Sequence, residues 1–494
     1  MTDLNTTTPH RLTPTAASAI RSDLLAGITV FLIALPLCLG IAAASGVKPF
    51  AGILAGVIGG LVVALLSGSR LSVSGPAAGL VVIVVQALAT LGSFSAFLTA
   101  LILAGLLQCI GGLLRAGRLA SYVPIPVING MLASIGILLI INQLPTAVGF
   151  ANGLISIGVA ALSLISLGLL IAWDSPTLRR LRVVRAIPGP LAVVLLGIAV
   201  TAVAGWLAPG AMPSLPTVSM PPLGSWDALG AALTFPDLTQ WTNPAVWRVA
   251  AIIAIVASLE TLLSLEALEQ LDPSHRKTPP NRELLAQGVG NTLGGLLGAL
   301  PITAVVVRSA TNLHAGARSR LACMTHGAIL LVATLALTGV ISLIPLASLA
   351  AILIYTGYKL AKPQLFISMG RAGYAQLVPF VGTIAGVLLT DLLIGIAIGF
   401  ALSVVLMIEQ NSRRVLTFTR HGAYHLLTIR KSASFLSTPQ LKSYLEQIPP
   451  GATLILDAAR ADHIDHDIHQ VIGQFALRAQ ENGVRMEYKD WPAK

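Results

Sequence analysis

Charge is scarce in this 494-residue chain: only 10% of its residues are Asp, Glu, Lys or Arg. Soluble domains carry roughly a quarter, so this scarcity excludes an ordinary soluble fold. Hydrophobic residues make up 55% and mean hydropathy is +0.83, which is membrane-protein composition. Cysteine is nearly missing too. Cys38, Cys109 and Cys323 are far apart and match no metal or disulfide spacing, so they read as small core residues. No nucleophile–base or metal constellation appears, which argues against an enzyme and against a resident cofactor. The net charge of +11 is scattered through short loops and forms no basic tail or face, so nucleic acid is not an expected partner. No cleavable signal peptide is expected, because the first twenty residues are polar and the first apolar run is a full-length span.

What is present is apolar sequence in long runs. Uncharged stretches include Leu24–Gly46, Leu71–Leu114, Leu119–Trp173 and Leu321–Tyr358. At about 20 residues per span they accommodate about fourteen segments, two of them short and broken. The expected organisation is a polar segment at 1–22 and a transmembrane domain at 23–410, with repeats near 23–206 and 244–410. Basic residues fall on one side if the segments alternate: Arg70, Arg115/Arg118, Arg179/Arg180/Arg182/Arg185, Arg276/Lys277/Arg282, Arg318/Arg320, Lys359/Lys362 and Arg413/Arg414. The other side includes the Ala208–Asn243 connection, which has no Lys or Arg. The positive-inside rule makes the basic side cytoplasmic, with both termini there, in a cell (inner or plasma) membrane. Beyond Arg414 the pattern changes. Strands are expected at Tyr424–Arg430, Thr453–Ala459 and Val484–Tyr488, with helices at Ser437–Ile448 and Asp467–Gln480. They make a small cytoplasmic α/β domain at 415–494.

Two stretches match across the halves. SVSGPAAGLVVIVV (Ser72–Val85) and GALPITAVVVRSATN (Gly298–Asn312) each set small residues before a proline, then an apolar helical run. Pro76 and Pro301 lack an N–H and suit a first helical turn. Such interrupted segments at corresponding places are the sequence pointer to a transporter's midplane site. Two half-helix N-termini would aim free N–H groups and positive dipole ends at one point, which suits an anion. Arg308 lies about two turns into the second helix. A guanidinium mid-membrane costs about 2.5–3.5 kcal/mol on insertion scales. One full negative charge at about 4 Å and an effective dielectric of 20 returns about 4 kcal/mol. The alternative is that these are ordinary kinked helices and that Arg308 snorkels or neutralises Glu260.

NRELLAQGVGN (Asn281–Asn291) followed by PITAVVVRSATNLHAGARSR (Pro301–Arg320) resembles the most characteristic stretch of the SulP sulfate-permease family, whose animal members are solute carrier family 26. SGPAAGL (Ser74–Leu80) and TDLLIGIAIG (Thr390–Gly399) resemble two further segments. The C-terminal domain resembles the cytoplasmic domain shared by sulfate transporters and anti-sigma factor antagonists (STAS). The resemblance implies an α-helical polytopic fold, a seven-plus-seven inverted repeat of core and gate domains. It also implies an anion site between segments 3 and 10, elevator-like motion and a homodimer. By position it assigns the site to Arg308, with Ser74, Ala77, Ala78, Thr303, Ala304 and Val305 around the half-helix ends. In ALPLCLG, Cys38 or its neighbours stand where the family often has a glutamine. Position 77 is alanine where bicarbonate-transporting relatives have a hydroxyl. Sulfate, bicarbonate, a dicarboxylate and chloride all remain open as the small anion, with bicarbonate and sulfate foremost. A channel-like homologue and a nucleobase permease of the same architecture are the competing readings.

Moving an anion into a negative interior costs about 2.3 kcal/mol per charge per 100 mV. Net uptake therefore needs a cation or an exchanged anion. Glu260, deep in AIIAIVASLETLLSLEALEQLD (Ala251–Asp272), is the expected holder of Na⁺ or H⁺, with Ser264 one turn away on the same face. Other features read structurally. Asp465 caps a helix beside the His463/His466/His469 cluster, Asp391 caps the last span, and Thr383 and Thr390 bond backbone carbonyls. The glycines of GVGNTLGGLLG serve close helix packing.

Overall fold

The computed structural model of the protein describes residues 16–150, 154–180, 184, 187–207, 215–221, 226–274, 276–413 and 415–491. Arg182, Arg185, Arg414, part of the 208–243 connection and residues 1–15 of the N-terminal segment fall outside them. The first seven long helices among the described residues are α1 (Ala16–Ala44), α2 (Pro49–Ile58), α3 (Val81–Leu91), α4 (Phe94–Leu113), α5 (Ile125–Val148), α6 (Ile157–Trp173) and α7 (Gly189–Leu207). The second seven are α8 (Pro244–Leu271), α9 (Pro280–Leu297), α10 (Val306–His314), α11 (Leu321–Ala336), α12 (Leu346–Leu360), α13 (Tyr374–Leu389) and α14 (Leu392–Arg413). Among the described residues six helical spans are long and apolar enough to cross a bilayer: those at α1, α2, α4, α5, α8 and α14. The segments expected to be broken are broken, but the helices start later than expected. Pro76 ends strand β1 (Ser74–Pro76) ahead of α3, and Pro301 precedes strand β2 (Ile302–Ala304) ahead of α10. Neither proline therefore opens a helix, and Arg308 lies in the first turn of α10, not two turns in.

The packing follows a two-fold relation between the halves. α1 packs on α11 as α8 packs on α4, and α4 on α9 as α11 on α2, while α5 meets its own counterpart α12. β1 and β2, also counterparts, pair antiparallel. The contacts repeat between the halves with the partners exchanged, as an inverted repeat requires. Glycine allows the closest crossings. A Cβ on Gly288 of α9 would meet Cys109 Sγ at 2.5 Å and the Gly105 carbonyl at 2.6 Å, and one on Gly295 the Leu98 carbonyl at 2.8 Å. The glycine run of α9 therefore presses onto α4 backbone, as its pattern indicates. α2 continues through a π-helical turn at Gly59–Val63, where a Cβ on Gly59 would lie 2.4 Å from the Ser74 carbonyl. The widened turn and the missing side chain let β1 approach α2.

Several of the basic loops meet at one end of these helices. Asp23 near the start of α1 accepts from Arg318 N at 2.6 Å and from Ser319 Oγ at 2.5 Å. Arg320 and Arg282 donate to the Leu65 and Leu66 carbonyls beyond α2. Arg276 grips Asp272 at 2.7 Å just past α8 and holds its carboxyl below the usual carboxylate range. At the opposite end Asp391 accepts from Ile394 N at 2.8 Å, a cap on α14, while Thr383 and Thr390 bond the carbonyls of Pro379 and Gly386.

Tertiary contacts divide the chain into two compact units, Met1–Ile367 with Ile384–Ile396, and Ser368–Thr383 with Ala397–Lys494. The second contains a four-stranded sheet of order β3 (Leu416–His421), β4 (Tyr424–Ala433), β5 (Thr453–Ile464) and β6 (Arg485–Lys489). The β3–β4 pair is antiparallel and the other two pairs are parallel. α15 (Thr438–Leu445) and α16 (His466–Glu481) contribute Leu441, Leu445, Ile468 and Ile472 to a core with Leu427, Ile429, Leu454 and Leu456. Asp465 caps α16 as expected, accepting from His466 N at 2.7 Å. β3 had no counterpart in the sequence reading. LTFTRH is short and polar along one face, and only Leu416 in it is buried.

Replacing Gly288 by leucine drives a side chain into α4. The variant is expected to lose about 1–3 kcal/mol of stability from overpacking, read as a lower unfolding temperature in detergent; an unchanged temperature refutes the packing assignment.

Candidate functional site

The site is organised by two interrupted spans that meet. Ser74 lies opposite Ala304, Gly75 opposite Thr303 and Pro76 opposite Ile302. The proline breaks therefore stand side by side. Each break strips backbone groups of helical partners, and in a membrane each such group costs several kcal/mol if left bare. Buried side chains answer for the rest. Asn291 accepts from Ile302 N at 2.7 Å and donates to the Ile302 carbonyl at 3.0 Å. Thr261 accepts from Ala304 N at 3.2 Å, and Ser309 from Val73 N at 3.0 Å. Asn312 donates to the Leu71 carbonyl at 2.9 Å, and the Cys323 thiol to that of Ser72 at 3.2 Å.

Arg308 is fully buried. Its Nη2 is 3.5 Å from the Pro76 carbonyl, while Nε and Nη1 have no protein acceptor. The guanidinium lies against β1, for a Cβ on Gly75 would sit 2.4 Å from Nη1. No ion pair joins it to Glu260 or to any carboxylate among the described residues. That removes the reading in which Glu260 neutralises it. Cys38 of α1 is fully buried beside the guanidinium, and His326 of α11 is fully buried within reach of its charge.

The other anticipated residues divide by what they can offer. Ala77 is buried, Ala78 is half-buried, and the N–H groups of Ala77 to Gly79 stand at the 3₁₀ turn (Ala78–Leu80) that leads into α3, with no carbonyl ahead of them in that turn. Val306 and Val307 occupy the same place at the start of α10. Thr303 and Ala304 are fully buried. The N–H groups of Ala304 and Val305 are already spoken for, by Thr261 Oγ1 and by the Val73 carbonyl at 3.0 Å. Ser74 Oγ accepts from Gln287 Nε2 at 2.8 Å. Glu260 lies against the turn before α3: a Cβ on Gly79 would meet its Oε1 at 2.8 Å, and its Oε2 is buried with no hydrogen-bond partner among the described residues. Ser264 is buried one turn further along α8.

Sequence reasoning passed over the polar stripe of α9. Glu283, Gln287 and Asn291 recur every fourth residue and are all fully buried. Glu283 accepts from Ser67 Oγ at 2.5 Å and from Gln287 Nε2 at 3.2 Å, and Gln287 in turn holds Ser74. Three polar residues on one face of an otherwise apolar helix were the available signal.

A polytopic membrane protein with two interrupted helices meeting beside a fixed buried cation has an architecture suited to carrying an anion. The chain belongs to the sulfate permease family, whose sequence profile matches residues 20–383. It is 28% identical to YvdB of Bacillus subtilis (strain 168), a protein named for sulfate transport, over 94% of this chain and 90% of that one. It is 26% identical to the bicarbonate transporter BicA of Picosynechococcus, over 80% and 71%. Among solved structures, SLC26A9 matches with a TM-score of 0.74 at 17% identity, covering 97% of this chain and 85% of that one. The transmembrane domain of a cyanobacterial BicA matches at 0.63 and 23%, covering 78% and 97%. The SLC26A9 likeness takes in the fold of both the helical and the α/β parts, and the BicA likeness that of the helical part.

Asn291→Ala leaves the Ile302 N–H and carbonyl without their side-chain partner. We expect a loss of about 1–3 kcal/mol per stranded group, seen as thermal destabilisation accompanied by weaker anion binding. Wild-type behaviour in both measurements rules out the clamp.

Proposed function

We propose that the protein is a secondary active transporter of a small inorganic anion, with bicarbonate and sulfate the foremost substrates. The observation that carries this is the fully buried Arg308 with no carboxylate partner, set where the α3 and α10 N-termini converge. Backbone N–H groups at both helix starts and the guanidinium would together receive the anion's charge. Arg308, Ala77, Ala78 and the start of α10 would touch it; Ser74, Thr303, Ala304 and Val305 would fix the frame, and Cys38 would form the less polar wall. In this reading Glu260, with Ser264, binds Na⁺ or H⁺. The half-helix start at Gly79 lies between that carboxylate and the anion, so a cation at Glu260 offsets the charge of the cargo and of the membrane potential.

Movement follows the elevator scheme, with α1–α4 and α8–α11 as the core that carries the site past α5–α7 and α12–α14. The working protein is a homodimer in the cell membrane, with the basic loops, the N-terminus and the 415–494 domain in the cytoplasm. The basic loops gathered at one end of the helices support that orientation.

Arg308→Ala removes the fixed charge, worth about 4 kcal/mol at an effective dielectric of 20, so anion uptake into proteoliposomes should fall by about three orders of magnitude while the protein remains folded. Uptake at the wild-type rate would falsify the anion assignment. Separately, Glu260→Gln should still bind anion but no longer accumulate it in response to a Na⁺ or pH gradient. Gradient-driven accumulation that survives the change sinks the coupling role. Competition by unlabelled sulfate, bicarbonate, chloride and dicarboxylates against one labelled anion fixes the substrate.

A further inference from the structure

The α/β region holds a concentration of positive charge that transport does not use. β4 and β5 run parallel, and their register sets Arg430 directly beside Arg460. Register partners on adjacent strands stand roughly 4.8 Å apart and send their side chains to one face, where like charges repel. Both arginines are exposed. Neither they nor Lys431 has a hydrogen-bond or ion-pair partner for its side chain among the described residues. The neighbouring carboxylates are otherwise engaged or further on: Asp457 faces Lys489 at 3.6 Å, Asp465 caps α16, and Asp462 is exposed two residues past Arg460.

The backbone is shaped around this cluster. The pairing slips between Thr428 and Arg430 and again between Lys431 and Ser432, each time giving β5 an extra residue. Lys431 has φ +57°, in the left-handed region that side chains disfavour. Leu427 and Ile429 point into the core, and so does Ala433, which makes 431 the inward position between them. The left-handed turn sends Lys431 out instead, so 430 to 432 are all exposed. An apolar residue at 431 with regular backbone would fill the core without strain. A strained backbone, a bulged partner strand and two opposed arginines at one level are three unfavourable features in one place, and an anion between them relieves the electrostatic one.

We propose that Arg430, Lys431 and Arg460 form a binding site for a phosphate-bearing ligand. Two guanidinium forks match phosphate oxygens in bidentate fashion, and the ammonium adds a point charge. The phosphate can come from a soluble phosphorylated metabolite or from a phospholipid headgroup.

The test uses the full chain in phosphatidylcholine nanodiscs, carrying Arg308→Ala so that the membrane site contributes nothing, with inorganic pyrophosphate as the probe in a calorimetric titration. Saturable binding is expected, weakened by about tenfold or more in Arg430→Gln/Arg460→Gln. The same double variant without ligand should unfold at an equal or higher temperature, since a like-charge contact is gone. Lys431→Gly, which tolerates the left-handed turn, should keep the fold and also weaken binding. Repeating the titration in phosphatidylglycerol nanodiscs at constant ionic strength separates the sources. Weaker pyrophosphate binding there identifies the headgroup as occupant, and unchanged binding identifies a soluble ligand. The proposal is overturned if pyrophosphate does not bind, if both variants bind it as the parent does, or if the double variant is destabilised without ligand.

Discussion

The antiparallel contact between β1 and β2 is the constraint on which the rest of the membrane region depends. Breaking a membrane helix exposes N–H and carbonyl groups where no water can meet them. Two breaks that face each other can meet part of that demand mutually, which is why counterpart strands pair at the two-fold axis. The remainder recruits side chains from every neighbouring element: Asn291 from α9, Thr261 from α8, Ser309 and Asn312 from α10, Cys323 from α11. Each of these has to be polar in an apolar environment and close to backbone. That closeness in turn demands glycine at 59 and 75, where a Cβ would strike the Ser74 carbonyl and the Arg308 guanidinium.

Viewed this way, the buried polar residues are of two kinds. One kind is consumed by the frame. Asn291 uses both ends of its amide on Ile302 while also donating to Gln108 Oε1 at 2.8 Å, and Gln287 links Ser74 to Glu283. The other kind is left over, and among the described residues it includes Arg308 Nε and Nη1, Glu260 Oε2, both ring nitrogens of His326, and single atoms of Gln287 and Asn312. Buried polar atoms in native proteins are nearly always satisfied, so the exceptions need a reason. Arg308 and Glu260 are the ionisable groups among them that lie against Gly75 and Gly79, where the proposed reading places the two ions.

The breaks at Pro76 and Pro301 were legible because proline and glycine change local geometry wherever they occur, and because two similar patterns stood in matching places. Arg308 was legible because charge is scarce enough here for one arginine to stand out. The α9 stripe was harder to read. Glu283, Gln287 and Asn291 sit at a regular spacing, but whether such residues hold a ligand or a backbone depends on which strand lies opposite, and that is a long-range fact. The same applies to Ala304 and Val305, whose N–H groups look free at a helix start until Thr261 and Val73 arrive from elsewhere in the chain. β3 escaped notice for a local reason: six mostly exposed residues give too little alternation to register.

Glu260 and Arg308 are the two charges the frame leaves unmatched, and their placement bears on how a cation and an anion could be coupled. Gly75 presents β1 to the guanidinium, and four residues later Gly79 presents the first turn of α3 to the carboxylate. A single stretch of backbone thus touches both groups, too close-packed to admit a side chain at either position. If the anion draws on the N–H groups of this turn, its charge acts on the Glu260 side through the same few atoms. A cation there makes the anion's binding more favourable, and reciprocity requires the anion to favour the cation equally. Direct Glu260–Arg308 pairing would forfeit this, since each ion would have to break that pair before it could bind. Leaving the two unpaired along one glycine-bearing stretch of backbone keeps both groups available, as symport on the proposed reading requires.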